Sequence, residues 1–244
     1  MMKKNNYFNL LFSSLAAISL TSCATVGDVD SKSEAVLRKM SDTLTSAKQM
    51  KITATRKLDK RLLDNENMIG NAEIEAYVAR PDRLKIKLRG GGNERHFYIA
   101  KRGSTIYSTN SKFYAHFAGQ STLDKSFDVA ASKLGVNIPA QDFLSSNPYR
   151  DFTQGSTVIA YVGSTTVRGQ SCDHLSGKRA DLEWDLWISK SSHLPRRYTI
   201  TVKGKSGKNH LQVDFKKWDL SPSISKSAFT FSAPKGAQEI EFSR

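Results

Sequence analysis

The sequence has few of the residues that build metal centres and covalent active sites. It contains two cysteines, Cys23 and Cys172, in 244 residues. Its five histidines lack the spacing of metal ligands, and they are His96, His116, His174, His193 and His210. A phosphate-binding loop, a Gly-x-Ser-x-Gly motif and a dinucleotide fingerprint are missing too. We therefore predict no metal site, no cofactor and none of the enzyme classes that these motifs mark.

Long apolar runs are also missing, apart from one near the N-terminus. This run extends from Tyr7 to Leu20 and follows Lys3 and Lys4. It is shorter than the roughly 20 apolar residues of a membrane-spanning helix. A short apolar run after a basic start is typical of a signal peptide. The run predicts export from the cytoplasm.

The residues that end this run, Leu-Thr-Ser-Cys at positions 20–23, resemble the lipobox of bacterial lipoproteins. The resemblance implies that Cys23 is diacylated, becomes the first residue of the mature chain and carries acyl chains such as palmitate. Each buried methylene then contributes about 0.8 kcal/mol to membrane attachment. Ala24 stands where an Asp would signal inner-membrane retention in enterobacteria-like sorting, so the expected location is the outer membrane, facing the periplasm.

These features divide the chain into three predicted parts. They are a signal peptide at 1–22, a lipidated tether at 23–30 and a globular domain at 31–244. Two alternatives stay open for the N-terminus, namely an ordinary secretory signal with a chance cysteine and an uncleaved anchor. Retention in the inner membrane is a further alternative for the location.

Acidic residues are scarce relative to basic ones. The chain has 23 Asp and Glu against 37 Lys and Arg, which gives a net charge of +14. The basic residues are spread along the chain, and nucleic acid is a poor partner for an exported lipoprotein. Anionic lipid head groups or lipopolysaccharide phosphates suit the charge, and a solvated surface without a partner suits it equally.

Hydrophobic periodicity predicts one helix followed by a long series of strands. Apolar residues recur at helical spacing from Ser31 to Met50. After that the period changes to two, most clearly at 73–89, where Leu84, Ile86 and Leu88 alternate with basic residues. Alternation of this kind indicates antiparallel strands with one dry face and one wet face.

Helical spacing returns between Ser121 and Ser146, and strands resume after it. The predicted fold is therefore mainly β (α+β). It is a single curved antiparallel sheet of about ten strands, an unclosed half-barrel, covered by the N-terminal helix and an inserted helical pair. Large twisted sheets curl, and three helices cover such a face incompletely. An apolar cavity between sheet and helices is the expected consequence.

Several segments resemble a family of predicted periplasmic bacterial proteins of unknown function. They are VRGQSCDHLSGKRADLEWDLWISKSSHLPRRYTIT at 167–201, FKKWDLSPSISKSAFTFSAPKGAQEIEF at 215–242 and RPDRLKIKLRG at 80–90. That family is similar in fold to the LolA, LolB and LppX group, which is an unclosed β-barrel capped by helices. The resemblance covers nearly all of the mature chain and implies the binding of lipid or lipoprotein acyl chains.

The predicted lining of the ligand cavity comes from three strands whose apolar residues share a face. It consists of Leu84, Ile86, Leu88, Leu182, Trp184, Leu186, Tyr198 and Ile200. The three tryptophans, Trp184, Trp187 and Trp218, either line a lipid site or serve as core aromatics. Basic residues at the mouth are expected to hold anionic head groups.

Two arrangements invite a catalytic interpretation, and we predict no catalytic residue in either. Cys172 and His174 share a strand face, but Asp173 points to the other face and cannot simply orient the imidazole. Glu183 and Asp185 also share a face, as the carboxylates of a glycosidase do. Packing or hydrogen bonding explains the first pair, and solvated ion pairing explains the second.

Together these features predict a non-enzymatic outer-membrane lipoprotein that binds a hydrophobic ligand, for transport or retention in the periplasm. Its expected partners are the membrane, through the acylated cysteine, and a lipid or acylated ligand. Another envelope protein is a further expected partner, since an alternative is an envelope sensor or protein-interaction module. A third class is a hydrolase that acts on lipids or glycans.

Overall fold

A computed structural model describes residues 28–59, 69–135, 138–204 and 207–241. Thirteen strands lie in this part of the chain. They are β1 (Asp28–Val29), β2 (Gln49–Leu58), β3 (Ala72–Ala79), β4 (Arg83–Gly90), β5 (Asn93–Ile99), β6 (Ser104–Ser108), β7 (Phe113–Phe117), β8 (Val158–Val167), β9 (Gln170–Lys178), β10 (Leu182–Ser189), β11 (Pro195–Gly204), β12 (Gly207–Asp219) and β13 (Gln238–Glu239).

All thirteen strands join one unclosed, curved sheet, which confirms the predicted fold class. Their spatial order is β1-β8-β9-β10-β11-β12-β2-β3-β4-β5-β6-β7-β13. The pairing is antiparallel except at the two ends, where β1 pairs with β8 and β13 pairs with β7 in parallel. The sheet has more strands than the expected ten because β1 and β13, with two residues each, are too short to show a period.

The alternation in the sequence sets the two faces of the sheet. Ala76, Ile86 and Phe97 lie side by side across β3, β4 and β5 and are at most 4% exposed. The residues between them, such as Glu75 and Lys87, lie on the opposite face and form ion pairs there. We call the apolar side the inner face and the other side the outer face.

The N-terminal helix, α1 (Ser31–Ser46), packs its apolar stripe against the inner face. Leu37, Met40 and Leu44 are fully buried. The N-cap of the helix is Asp30, whose side chain accepts hydrogen bonds from the backbone N–H groups of Lys32 and Ser33. A carboxylate suits this position, since it satisfies free backbone donors and the helix dipole together.

Between β7 and β8 the described residues form three helices, and not the predicted pair. They are α2 (Leu123–Leu134), α3 (Gln141–Leu144) and α4 (Pro148–Thr153). Thr122 caps the start of α2, and Gly135, with φ of 62°, ends it in the left-handed conformation that favours glycine. The third helix, α4, was not predicted, because its six residues begin at Pro148, beyond the helical spacing between Ser121 and Ser146.

The C-terminal segment crosses the outer face before it joins the sheet edge as β13. Phe231 packs against four rings on the outer face of β5 to β7 at centroid distances of 5.0–6.1 Å. The rings are Tyr98, Tyr107, Tyr114 and His116. The backbone N–H groups of Gln238 and Ile240 then donate to the carbonyls of Lys112 and Tyr114 at 2.9 Å. This pairing places the last residues of the described chain beside β7.

Candidate functional site

The eight predicted lining residues belong to the packed core. None of them is more than 7% exposed. Phe143 of α3 fills the space above Tyr198 with ring centroids 5.3 Å apart, and Phe152 of α4 packs edge-on against Trp184 at 5.2 Å. A ligand reaches Trp184 and Tyr198 only if these two helices move. Their role as a ligand lining therefore stays a prediction.

Two arginines fasten the short helices to the sheet. Arg80, at the end of β3, donates from Nη1 to the carbonyl oxygens of Leu144 (2.8 Å) and Ser145 (2.9 Å). Arg179 donates from Nη2 to the carbonyl oxygen of Asp151. Hydrogen bonds from charged donors are about twice as strong as neutral ones. These contacts hold α3 and α4 closed over the centre of the inner face.

An open cavity of about 660 Å³ lies at the other end of the inner face, beyond the helices. Strands β5, β6 and β7 form its floor, and β13 borders one side. Its described lining is Ile69, Asn93, Glu94, Arg95, Phe97, Ile106, Ser108, Asn110, Ser111, Phe113, Tyr114, Ala115 and Ile240. This volume lies within the range of about 300–1,000 Å³ that is usual for small-molecule sites.

The cavity collects apolar side chains that the fold leaves open to solvent. Among the described residues, four large hydrophobic side chains are exposed, and two of them, Phe113 (40%) and Ile240 (47%), line the cavity. The other two, Val158 and Val162, lie on β8 at the far edge of the sheet. Grouped, exposed apolar residues mark binding surfaces more often than scattered ones. The cavity is therefore a candidate ligand site.

One end of the cavity is basic. Arg95 lies on the same face of β5 as Phe97 and lines the cavity. Arg56 of β2 also points to the inner face and donates to the carbonyls of Ile69 and Gly70. Burial lowers the pKa of Arg95, and burial together with the charge of Arg95 lowers the pKa of Arg56 to about 10.

The one carboxylate in the described lining is held on the rim. Glu94 accepts a hydrogen bond from Arg89 Nε at 3.0 Å, and its other oxygen lies 2.6 Å from His96 Nε2. The hydrogen bond from Arg89, followed by the contact with His96, lowers the pKa of Glu94 to about 2. Glu94 therefore stays ionised and engaged with these two neighbours.

The Cys-Asp-His stretch has no activated nucleophile. Cys172 is fully buried, burial raises the pKa of its thiol, and its Sγ donates to the Gln170 carbonyl at 3.4 Å. His174 stacks on Trp187 with centroids 4.3 Å apart, and its Nε2 lies 2.9 Å from Asp185 Oδ1. A protonated thiol without a base is a poor nucleophile. Cys172 and His174 therefore pack and form hydrogen bonds within the fold.

The remaining catalytic candidates contact other partners. Asp173 accepts a hydrogen bond from Tyr161 Oη at 2.8 Å and lies 3.4 Å from Lys190 Nζ. Glu183 lies 3.5 Å from Lys208 Nζ, whereas Asp185 contacts His174. The two carboxylates thus have separate partners and do not form a paired site.

The three tryptophans occupy different environments. Trp184 is 1% exposed in the core. Trp187 stacks on His174 on the outer face. Trp218 donates from Nε1 to the Pro195 carbonyl at 2.8 Å. None of the three lines the open cavity.

Other predictions concern metals and the membrane. Within 28–59, 69–135, 138–204 and 207–241, no three His, Cys, Asp or Glu side chains are grouped as metal ligands. None of the helices in these ranges combines the length and the apolar character needed to cross a membrane. Cys23 and the predicted signal peptide at 1–22 lie outside the described residues, so lipidation stays a prediction.

The open cavity was not predicted from the sequence, although the sequence contains one signal for it. Arg95 breaks the apolar stripe of β5, because alternation places it on the inner face with Phe97 and Ile99. An inward-facing charge in such a stripe indicates a site. Phe113 and Ile240 carried no comparable signal, since their proximity depends on the pairing of β13 with β7.

Solved structures are similar to this chain at 10–13% sequence identity, and the first of them shows the fold alone. An uncharacterized conserved protein from Thermus thermophilus has a TM-score of 0.51 and 10% identity, covering 86% of this chain and 99% of that chain. The lipoprotein LppX of Mycobacterium tuberculosis has a TM-score of 0.46 and 13% identity, covering 79% and 97%. A chain of the MucA/MucB complex of Pseudomonas aeruginosa has a TM-score of 0.46 and 12% identity, covering 83% and 62%.

No curated protein is similar enough in sequence to match this chain. A family model does match it, over residues 33–243. These residues include every segment that carried the resemblance in the sequence, apart from the lipobox. The chain belongs to DUF2092, a family of predicted periplasmic proteins.

Proposed function

We propose that the protein binds a small hydrophobic ligand in the open cavity at the β5–β7 end of the inner face, for transport or retention in the periplasm. The observation that carries the proposal is the cavity itself, about 660 Å³ in volume, with Phe113 and Ile240 exposed at its walls. Burial of these side chains by a ligand contributes roughly 25 cal/mol per Å² of apolar surface. Binding is non-covalent, and no reaction follows it.

The proposal includes the membrane anchor. Cys23 carries the acyl chains, and the protein stays on the periplasmic side of the outer membrane. Only four residues separate Cys23 from Asp28, the first residue of β1. The anchor therefore holds the β1–β8 edge near the bilayer, while the cavity lies at the opposite end of the sheet. Incorporation of labelled palmitate into the native chain, and its loss in Cys23→Ser, tests this part.

Native mass spectrometry tests the binding function. The full chain with Cys23→Ser is exported to the periplasm of a bacterial host, purified without detergent and sprayed intact. We expect an added mass that leaves as a lipid or a fatty acid on activation, or saturable uptake of decanoate by an empty protein. Phe113→Glu, which places a charge on the cavity wall, should abolish the uptake. A protein that arrives empty and takes up no alkyl ligand would refute the proposal.

A second candidate function is protein binding, which the β8 edge favours. Along the edge that faces away from β9, β8 pairs only with β1 among the described residues, through Val158 and Ile159. The strand continues to Val167, and Val162 on it is 56% exposed. A strand edge of this kind accepts an extended segment of a partner. A photo-crosslinker at Val162 that captures one envelope protein in cells, while the cavity is empty, would favour this function.

A further inference from the structure

The β8 edge exposes two large apolar side chains to solvent. Val158 is 43% exposed and Val162 is 56% exposed. They lie four residues apart on one strand, which is about 13 Å along it. The pairing of β8 with β9 shifts register at Val162, and a bulge of this kind hinders the addition of another strand. An occupant that contacts side chains, and does not extend the ladder, therefore suits this part of the edge.

Basic side chains flank the same edge along its length. They stand beside positions 158, 161, 164 and 167 of β8 and are Lys178, Lys32, Lys190 and Arg168. Lys178 lies opposite Val158 and projects on the outer side of the sheet. Lys32 comes from α1 on the inner side, where its Nζ lies 3.7 Å from the centre of the Tyr161 ring. The apolar edge thus has cations on both sides.

Carboxylates offset only part of this charge. The strand β8 contains no charged residue, and β1 contributes Asp28, which is exposed. Asp30 caps the start of α1. Asp173 accepts a hydrogen bond from Tyr161 and lies 3.4 Å from Lys190 Nζ. The exposed charge that remains beside the edge is therefore mainly positive.

The chain before β1 brings a bilayer within reach of this edge. The four residues between Cys23 and Asp28 let these two residues lie at most about 18 Å apart, even when fully extended. The radius of gyration of a domain of this size is about 17 Å. Because β1 pairs with β8, an acylated Cys23 holds the β8 edge close to the lipid. The far side of the domain cannot turn toward the bilayer on so short a tether.

We infer that the β8 edge is a membrane-contact surface for anionic phospholipids of the bilayer that anchors Cys23. This inference rests on the anchor in the proposed function and names the partner of the edge. Val158 and Val162 enter the head-group region, and the flanking cations contact lipid phosphates. The exposed Ser-Thr-Thr segment at 164–166 stays hydrated there. Basic residues near an anionic surface add to the attachment that acyl chains provide, and the contact fixes the orientation of the domain.

Lysine labelling tests the inference on the native chain without any variant. The protein is purified from membranes and reconstituted into phosphatidylcholine vesicles with or without phosphatidylglycerol, and a water-soluble reagent acetylates its amines. We expect Lys32 and Lys178 to react about fivefold more slowly on the vesicles with phosphatidylglycerol, as the attraction of a lysine to an anionic surface predicts. Lys101, which is exposed in the turn between β5 and β6, should react at the same rate on both.

A dye on the protein tests the contact of the apolar positions with lipid. Cys172 is fully buried, so a maleimide dye labels Val162→Cys selectively when Cys23 is acylated. Ala233→Cys is the matched control, because Ala233 is exposed in the C-terminal segment close to Phe231. A nitroxide on the lipid head group should quench the dye at position 162 and leave the dye at position 233 unquenched.

Charge variants then assign the contact to the edge. Lys32→Gln should reduce the quenching at position 162 on vesicles with phosphatidylglycerol. Lys101→Gln changes the net charge equally and should leave the quenching unchanged. Val158→Ser should reduce it as well, because the variant has less apolar surface to bury. Urea unfolding of each variant verifies that it is folded, and the labelling of the native chain needs no variant.

Three results would overturn the inference. Equal labelling of Lys32 on the two kinds of vesicle would show that the edge does not select anionic lipid. Equal quenching at positions 162 and 233 would show that the domain has no fixed orientation on the bilayer. Absence of quenching on vesicles, together with capture of one envelope protein by a photo-crosslinker at Val162 in cells, would make the edge a protein site.

The proposed function is measured separately in the same preparations. Incorporation of palmitate reports the anchor, and uptake of decanoate reports the cavity. If both are found while Lys32 is labelled equally on the two kinds of vesicle, the proposed function stands and the edge contact is wrong. If palmitate is not incorporated, the purified chain is mixed with the same vesicles, and equal labelling of Lys32 there overturns the inference together with the anchor.

Discussion

The position of the ligand site can be tested by separating the closed centre of the inner face from the open cavity. Phe143 is fully buried in the centre, and its ring lies 5.1–5.3 Å from the rings of Phe152, Tyr198 and Phe215. Phe113 lies in the open cavity and is 40% exposed. Truncation to alanine at the two positions should have opposite consequences.

Phe143→Ala should cost stability and leave binding intact. Removal of a buried phenylalanine costs about 3–5 kcal/mol. Each aromatic pair adds about 0.5–1.5 kcal/mol beyond the area that it buries, so the loss of three pairs places the expected cost near the upper end of that range. The free energy of unfolding of such domains is about 5–15 kcal/mol, so we expect the variant still to fold. Its affinity for decanoate should stay within about twofold of the wild type, since nothing in the open cavity changes.

Phe113→Ala should do the reverse. The side chain is partly exposed, so we expect a loss of stability of about 0.5–1 kcal/mol. Its apolar surface should be covered by the ligand, and its removal should weaken decanoate binding about fivefold. Urea unfolding followed by tryptophan fluorescence gives the stabilities, and titration with decanoate gives the affinities.

One outcome would contradict this placement of the site. If Phe143→Ala strengthens or abolishes decanoate binding while Phe113→Ala has no effect, the ligand enters the centre beneath α3 and α4. In that case the lining expected from the sequence, around Tyr198, would be the binding surface. The two variants therefore decide between the two ends of one inner face.

Three further predictions concern the stability of the closed centre. Gly177→Ala should destabilise the fold by about 1–3 kcal/mol, because the new methyl group would overlap ring atoms of Trp184. Ser176→Ala is the control, and equal stability of the two variants would contradict the contact. Burial raises the pKa of Asp142 from 3.8 to about 7, so the folded state keeps a proton that the unfolded chain has lost, and stability should fall as pH rises from about 4 to about 7. In Asp142→Asn this fall should be smaller. If the free energy of unfolding of this variant, measured by denaturation, depends on pH as steeply as that of the wild type, the assignment to Asp142 is wrong. Arg80→Met should lower the free energy of unfolding by about 1.5–3 kcal/mol, because it removes two charged hydrogen bonds at the end of α3. If thermal unfolding gives a value within about 0.5 kcal/mol of the wild type, the range usual for surface changes, these bonds contribute little.

The sheet was predictable from the sequence because alternation encodes it directly. Leu84, Ile86 and Leu88 read as one face of a strand, and all three are buried on the inner face of β4. Short elements carry too few residues to show a period. The two-residue strands β1 and β13 were missed for that reason, and so was α4, with its single turn and a half.

The placement of the helices was not predictable, because it depends on contacts between distant residues. The backbone N–H of Leu123 donates to the Pro81 carbonyl at 2.8 Å, which ties the start of α2 to the β3–β4 turn. Arg80 beside that turn reaches residues 144 and 145, more than sixty positions away. These contacts settle which part of the inner face is covered. Periodicity reports only that a helix has an apolar side.

The open cavity keeps exposed apolar surface, at Phe113 and Ile240, because the described helices lie over the centre of the inner face. The described helices bury the centre of the inner face, and none of their residues lines the cavity at the β5–β7 end. The outer face of these strands is already filled by Phe231, so the C-terminal segment cannot cover the inner face as well. It contributes only Ile240 at the edge. Phe113 and Ile240 therefore stay exposed at the cavity wall, where a hydrophobic ligand would cover them.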